Sequence, residues 1–270
     1  MKRISGVLSE MTIDDVRRLK PRVAVMGFGS TEPHGPALPY GTDTINCDGL
    51  CRRIVERANR QGARAIMFPT LPIGNNVNFK AFPFAARVRV RTLMRTVLDV
   101  LAALEEDGIR KVVLVCGHGG NTEALQAALR EHYDVTPPSR RAFACLALGF
   151  AGKPSPAPEN PTEHGGEEEA SQVLLLRPDL VRPDRFGNQP VGRPHPGLEG
   201  VYFVRPWHRH VPLSAGGDIR QASAQKGERL QEERARNLAA FVVRLARLPW
   251  GKEFPYPPSR RPRRRRRAAG

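Results

Sequence analysis

Four short apolar runs recur along the chain, and stretches with helical periodicity separate them. The runs are RVAVMGFG (22–29), RAIMFPTL (64–71), KVVLVCGH (111–118) and RAFACLAL (141–148). Helices are predicted near 46–61, 91–107, 121–132 and 166–176. Because strand and helix alternate, the pattern predicts an α/β fold with a parallel sheet that helices cover on both faces.

A further helix is predicted after about residue 218, ending before Pro249. Its apolar residues are spaced for one face: Leu230, Leu238, Val242 and Leu245.

Segment 152–163 is too proline-rich for a packed element and is predicted to form a flexible wall or lid. Segment 182–217 predicts only irregular structure. We expect one domain over residues 1–250 and a disordered Pro/Arg-rich tail over 251–270.

The composition narrows the class of protein. The four cysteines form no CxxC pair, which favours a reduced, cytoplasmic protein over a disulfide scaffold. The N-terminus lacks the apolar core of a signal peptide, and no apolar run reaches the length of about 18 residues that a membrane span needs. We therefore expect a soluble, uncleaved protein that does not contact a membrane.

The formal net charge of +16 suggests a nucleic-acid partner, but seven of the arginines lie in the C-terminal stretch PPSRRPRRRRRAAG. Such a tail could bind nucleic acid, anionic lipid or an acidic partner by charge attraction. It contains no interleaved aromatic residues, and the chain has no nucleic-acid-binding motif, so a solvated extension without a dedicated ligand is the preferred interpretation.

Candidate chemistry begins in GFGSTEPHGPALPYGTDTI, directly after the first apolar run. Glu32 and His34 are two positions apart, so in an extended segment their side chains project the same way. Asp43 follows after a turn that proline and glycine impose. Such oxygen and nitrogen donors suit Zn²⁺, Mn²⁺ or Fe²⁺. The stretch is predicted to be a metal-binding loop.

Two more segments carry candidate residues. VCGHGGNTEAL places His118 after the third run, where a glycine-rich turn could also cradle a phosphate, although it matches no phosphate-loop motif. EHGGEEEASQVLLL crowds His164, Glu167 and Glu169 at the start of a helix. Acidic residues there could instead complement the helix dipole. Since the carboxyl ends of parallel strands share one edge, these segments should meet.

The segments GSTEPHGPALPYGTD, GHGGN and HGGEEEAS resemble the three signature segments of the creatininase (creatinine amidohydrolase) family, and GDIRQASAQKGERL is similar to a fourth. The resemblance spans roughly residues 8–245. It implies a metal-dependent hydrolase with a three-layer α/β/α sandwich and a mostly parallel sheet, often a homohexamer, with two divalent metal ions at the carboxyl ends of the strands.

Position by position, the resemblance assigns Glu32 and His118 to one metal, His34 to the other and Asp43 as the carboxylate that bridges both. Glu169 would complete the second site. A metal-activated water would attack a carbonyl carbon of the substrate, and a nearby acid must protonate the leaving nitrogen. The candidates for that proton transfer are His164 and Glu167.

Several positions depart from the family pattern. Gly120 stands where true creatininases have a glutamate ligand, and Pro33, Ala37, Phe79 and Asn160 replace other usual residues. The resemblance therefore implies the chemistry but not creatinine as the substrate.

We expect a hydrolase of a small cyclic amide or a similarly activated carbonyl compound, with Zn²⁺ or Mn²⁺, or alternatively Fe²⁺. One alternative is hydrolysis of a ring carbon–carbon bond in a keto-inositol or oxidised sugar. The other is an inactive hydrolase scaffold that binds nucleic acid through the arginine-rich tail.

Overall fold

The computed structural model describes residues 5–149, 164–189 and 202–249. Its centre is a four-stranded sheet in the order β2-β1-β3-β4, and every pairing in it is parallel. The strands are β1 (Val23–Phe28), β2 (Ala65–Leu71), β3 (Lys111–Cys116) and β4 (Phe143–Leu148). The predicted α/β fold with a parallel sheet is thus confirmed.

Helices cover the sheet on both faces: α1 (Ile13–Leu19), α2 (Thr42–Arg60), α3 (Val90–Glu106), α4 (Thr122–Val135), α5 (Glu167–Leu176) and α6 (Ala224–Arg247). Side chains of β1 alternate between two cores, as the two-residue period of a strand requires. Val23 and Val25 pack with α2 and α6 on one face. Ala24 and Met26 pack with α3 and α4 on the other. The result is the expected three-layer sandwich.

Two helix boundaries differ from the prediction. Helix α2 begins at Thr42 rather than near residue 46, so Asp43 lies in a helical first turn and not in the loop. The proline- and glycine-rich stretch ends at Gly41, and a carboxylate in a first turn complements the helix dipole. Helix α6 begins only at Ala224, where the Ser223 hydroxyl caps it by accepting the Lys226 N–H.

The remaining segments with predicted structure lie partly outside the described residues. The predicted lid at 152–163 and the tail at 251–270 lie outside the described residues. Residues 182–189 and 202–217 are irregular, with short 3-10 turns at Pro183–Asn188 and Trp207–Arg209, as expected. Within the described part of the chain, no helix is both long and apolar enough to cross a membrane.

Candidate metal centre

The predicted site residues converge at the carboxyl edge of the sheet. The end of β1 leads into the segment with Glu32 and His34, and the end of β3 leads to His118. A hydrogen bond from the Gly117 N–H to the Phe28 carbonyl (2.8 Å) holds the two strand ends together. Parallel strands thus deliver residues that are distant in sequence to one place.

Helix α2 brings Asp43 to the same edge because the chain after β1 carries a glycine. A Cβ atom on Gly29 would lie 2.6 Å from the Thr44 Cα, which is too close for any side chain. The absence of a side chain lets the first turn of α2 pack directly on the backbone. Asp43 is consequently buried beside the end of β1.

Asp43 lies between two histidines. Its Oδ1 is 3.2 Å from His34 Nε2, and its Oδ2 is 3.0 Å from His118 Nδ1. Each of these histidine nitrogens has a second carboxylate nearby: Glu169 Oε2 is 3.6 Å from His34 Nε2, and Glu32 Oε1 is 3.2 Å from His118 Nδ1. The two oxygens of one carboxylate therefore face two separate histidine–carboxylate pairs.

Backbone carbonyls fix which ring nitrogen of each histidine faces the cluster. His34 Nδ1 donates to the Glu32 carbonyl (2.9 Å), and His118 Nε2 donates to the Asn75 carbonyl (3.2 Å). Since a carbonyl only accepts, these nitrogens carry the protons. His34 Nε2 and His118 Nδ1 are left facing the carboxylates, which is how metal-ligating histidines are usually held.

Without a metal, the carboxylates perturb the histidines strongly. Burial alone would lower the pKa of His34, but the nearby carboxylates of Asp43 and Glu169 outweigh it and raise the pKa to about 10. Burial opposes charge on His118 in the same way, and Glu32 and Asp43 still raise its pKa well above the usual value. The carboxylates of the cluster therefore attract cations strongly.

The surroundings of two oxygens in the cluster indicate whether a metal ion fits the site. Glu32 Oε1 and Asp43 Oδ2 are buried, and no described group hydrogen-bonds to either of them. Both lie within 3.2 Å of His118 Nδ1, so two carboxylate oxygens and one ring nitrogen converge, and all three would offer lone pairs to a metal that replaces the proton on that nitrogen. A buried convergence of acceptors is costly unless a cation lies among them. The donor set is the nitrogen and oxygen type that Zn²⁺ and Mn²⁺ take.

Three sets of potential ligands occur among the described residues, each with its atoms within 4.8 Å of one another. They are Glu32, Asp43 and His118; His34, Asp43 and Glu169; and Glu32, His34 and His164. The first two share Asp43. This is the grouping expected of two neighbouring ions that one carboxylate bridges.

His164 also reaches the cluster. Its ring centroid is 4.3 Å from that of His34, and its Nδ1 is 3.8 Å from Glu32 Oε1. Its Nε2 donates to the Pro33 carbonyl (3.0 Å), which leaves the Nδ1 lone pair on the cluster side. Burial and the neighbouring His34 lower the pKa of His164 to about 4, so its imidazole is neutral at pH 7.

The three glutamates that open α5 face different surroundings. Glu169 points to the cluster, where its Oε2 accepts the Gly165 N–H (2.7 Å), and burial raises its pKa. Glu167 instead pairs with Lys226 (2.6 Å), and Glu168 pairs with Arg234 (2.7 Å). The structure thus does not bring Glu167 into the cluster, and its role in proton transfer stays a prediction.

Three asparagines that the sequence analysis did not identify support the site. Asn121 donates to the Gly29 carbonyl (2.9 Å) and accepts the Asn75 N–H (2.8 Å), which ties the turn after β3 to the neighbouring loops. Asn76 donates to the Ser30 hydroxyl and to the carbonyls of Thr31 and Ala86. Their only sequence signal is a glycine one or two positions before them, in GNNVN and GGNTE.

The turn after β3 has no room for a side chain at Gly120. A Cβ atom there would lie 2.2 Å from the Asn75 carbonyl oxygen and 2.5 Å from His118 Nε2, whereas one on Gly119 would meet nothing within 4 Å. The glutamate that true creatininases have at this position could enter only if the turn moved. Glu169 is the carboxylate that reaches the second set instead.

Aromatic rings border the cluster on the side of His164. Phe79 and Trp207 stack with their ring centroids 5.5 Å apart and their planes at 11°. Their centroids lie 4.7 and 5.3 Å from that of His164. Trp207 lies in the segment whose structure the sequence did not predict.

Comparisons with known proteins agree with this architecture. The model of the family described as creatininase, creatinine amidohydrolase, matches residues 9–242. Creatinine amidohydrolase of Pseudomonas putida is 28% identical over 82% of this chain and 88% of its own length. Mycofactocin precursor peptide peptidase of Mycobacterium ulcerans is 27% identical over 89% and 92%. The 3-dehydro-scyllo-inosose hydrolase of Thermotoga maritima is 26% identical over 84% and 75%.

Solved structures give the same picture. A crystal structure of creatinine amidohydrolase superposes with a TM-score of 0.74 at 26% identity and covers 91% of this chain and 99% of its own. A glutamate-to-glutamine variant of creatininase described as Zn–Zn type has a TM-score of 0.72, and a manganese creatininase has 0.71, both at 26% identity over 88% of this chain and 97% of theirs.

Proposed function

The chain belongs to the creatininase family, and from that premise we propose that it is a hydrolase that uses two divalent metal ions, Zn²⁺ or Mn²⁺, to cleave a carbon–nitrogen bond in a small cyclic amide. Related structures with zinc or manganese support the choice of metals. The relatives differ in their substrates, so the family supports the reaction class and not one compound.

One observation carries the proposal: the two oxygens of Asp43 face two different histidine–carboxylate pairs, and Asp43 Oδ2 is buried without a hydrogen bond from any described group. Glu32, Asp43 and His118 would hold one ion, and His34, Asp43 and Glu169 the other. When bound, such ions polarise a carbonyl oxygen and lower the pKa of water.

The residues of the chain have separate tasks in this scheme. The carbonyls of Glu32 and Asn75 orient His34 and His118, so that His34 Nε2 and His118 Nδ1 face the positions that the metals would take. His164, neutral at pH 7, accepts a proton from the attacking water at Nδ1, which lies on the cluster side, and returns it to the leaving nitrogen. Its position favours it over Glu167 for this step.

A second candidate reaction is hydrolysis of a ring carbon–carbon bond in a keto-inositol. The resemblance to the Thermotoga maritima hydrolase favours it, since the same metal pair serves either reaction. A hexameric assembly stays a prediction. The arginine-rich tail, on which the nucleic-acid alternative depends, lies outside the described residues.

The test measures metal content and hydrolysis together. Wild-type protein should contain about two Zn or Mn ions per chain, and Asp43→Ala should lose both and all activity on a panel of lactams and keto-inositols. Asp48→Asn is the matched control, because Asp48 lies on the same helix outside the three ligand sets and accepts a hydrogen bond from the Thr70 hydroxyl. Full metal retention in Asp43→Ala would contradict the bridge, and a protein that stays metal-free with every ion would contradict the proposal.

A further inference from the structure

A positively charged side chain, that of Arg205, lies next to the aromatic rings that border the cluster. The guanidinium carbon of Arg205 lies 5.7 Å from the centroid of the Trp207 ring, and Trp207 lies 5.3 Å from His164. Only one indole ring therefore separates Arg205 from a residue of the metal cluster. A substrate molecule that reaches the cluster along the Phe79–Trp207 stack passes close to this guanidinium.

Arg205 is exposed, and no carboxylate among the described residues pairs with it. Its contact among the described residues is the weak cation–π interaction with Trp207. Many other arginines of the described chain are bound to carboxylates, as Arg53, Arg177 and Arg234 are. The planar guanidinium of Arg205 is thus available to donate two hydrogen bonds to a carboxylate ligand.

The surrounding segments reinforce the positive charge. Residues 72–98 and 202–217, which supply Phe79 and Trp207, contain no aspartate or glutamate. The short turns Val77–Phe79 and Trp207–Arg209 contact each other, and Lys80 and Arg209 lie exposed at their ends. An anion that approaches this wall therefore meets cations and no competing acid from these segments.

Resting on the hydrolase function proposed above, we propose that the substrate carries a carboxylate, which Arg205 binds, and a planar or apolar group, which lies against Trp207. The carboxylate fixes the orientation of the substrate, and the aromatic wall directs its reactive carbonyl to the cluster. Neutral compounds such as creatinine lack the first of these contacts, so the substrate class is a carboxylate-bearing amide.

The test measures binding rather than turnover. Isothermal titration calorimetry on the metal-loaded full-length protein compares three matched pairs of probes: orotate with uracil, 5-oxoproline with 2-pyrrolidinone, and benzoate with benzamide. In each pair the first member carries a carboxylate that the second lacks. A charge-assisted contact with arginine should make the carboxylate member bind about tenfold tighter or more in at least one pair.

Three variants assign the preference to residues. Arg205→Gln should abolish most of it, and Trp207→Leu should weaken both members of a pair alike. Arg236→Gln, which removes an exposed arginine of α6, should leave the preference unchanged. A carboxylate that bound the metals directly would keep its preference in Arg205→Gln, and that result would overturn the proposal.

Other outcomes also decide the question. Equal affinity within every pair, no binding of any probe, or equal losses in Arg205→Gln and Arg236→Gln would each overturn the role of Arg205. The hydrolase proposal fails separately, through metal content and turnover. A metal-loaded enzyme that hydrolysed neutral lactams without any carboxylate preference would retain the proposed function and refute only this inference.

Discussion

Replacing Gly120 by alanine should weaken metal binding, although Gly120 is not itself a ligand. The new Cβ atom would lie 2.2 Å from the Asn75 carbonyl oxygen, and carbon and oxygen atoms do not approach that closely without a bond. The turn or the Asn75 backbone must therefore move by about 1 Å. That carbonyl accepts the hydrogen bond that orients His118, so the movement displaces a predicted ligand.

The size of the effect follows from known perturbations of this kind. Loss of a group that orients a metal-ligating histidine typically costs about 10–100-fold in metal affinity, which corresponds to about 1.4–2.7 kcal/mol. Overpacking should also lower the free energy of unfolding by about 1–3 kcal/mol. We expect the first effect in a zinc competition titration against a chromophoric chelator, and the second in urea unfolding with the metal removed.

The neighbouring glycine provides the control. A Cβ atom on Gly119 meets nothing within 4 Å, so Gly119→Ala should keep wild-type metal affinity and gain up to about 1 kcal/mol of stability from a less flexible unfolded chain. Wild-type metal affinity in Gly120→Ala, or an equal loss in both variants, would refute the reasoning that the closed side of this turn positions His118.

Three further predictions concern buried or half-buried groups. Asn121→Ala should lower the free energy of unfolding in urea by about 2–4 kcal/mol, because two main-chain groups lose their partner; a loss below about 0.5 kcal/mol would contradict this. Glu105→Ala should cost about 3–5 kcal/mol, since His132 and a backbone N–H both lose their acceptor, while activity per folded molecule stays at the wild-type level. Burial raises the pKa of the Cys145 thiol to about 12, so iodoacetamide should leave it unmodified at pH 8 until the protein unfolds, and rapid alkylation of the folded protein would show that the thiol is accessible.

The fold was predictable because its elements are encoded locally. Buried parallel strands such as β1 are apolar throughout, and the helices carry an apolar face with a regular period. The start of α2 was wrong by several residues, since the prolines and glycine before Thr42 signal a break but do not show where it ends. Whether a first turn carries Asp43 depends on its packing against Gly29, which no local pattern records.

The candidate site was predictable only where residues occur in recognisable segments. Glu32, His34 and His118 follow strands in such segments, and the structure brings them together. The sequence could not separate Glu167 from Glu169, because which neighbour faces the cluster depends on the pairing with Lys226 from α6. Arg205 and Trp207 come from an irregular segment, where position is set by long-range contacts and not by periodicity.

One long-range contact has a consequence for the synthesis of the protein. The Gly35 N–H in the first site segment donates to the hydroxyl of Ser214, a buried residue 179 positions further along the chain. At a translation rate of about 5–20 residues per second, the ribosome delivers Ser214 roughly 10–35 s after Gly35. The earliest ligands therefore leave the ribosome long before the segment that closes over them. A nascent chain would expose its histidines and carboxylates to any metal in the cell during that interval. A protein that selects one metal should therefore bind it only after residue 214 has folded into place.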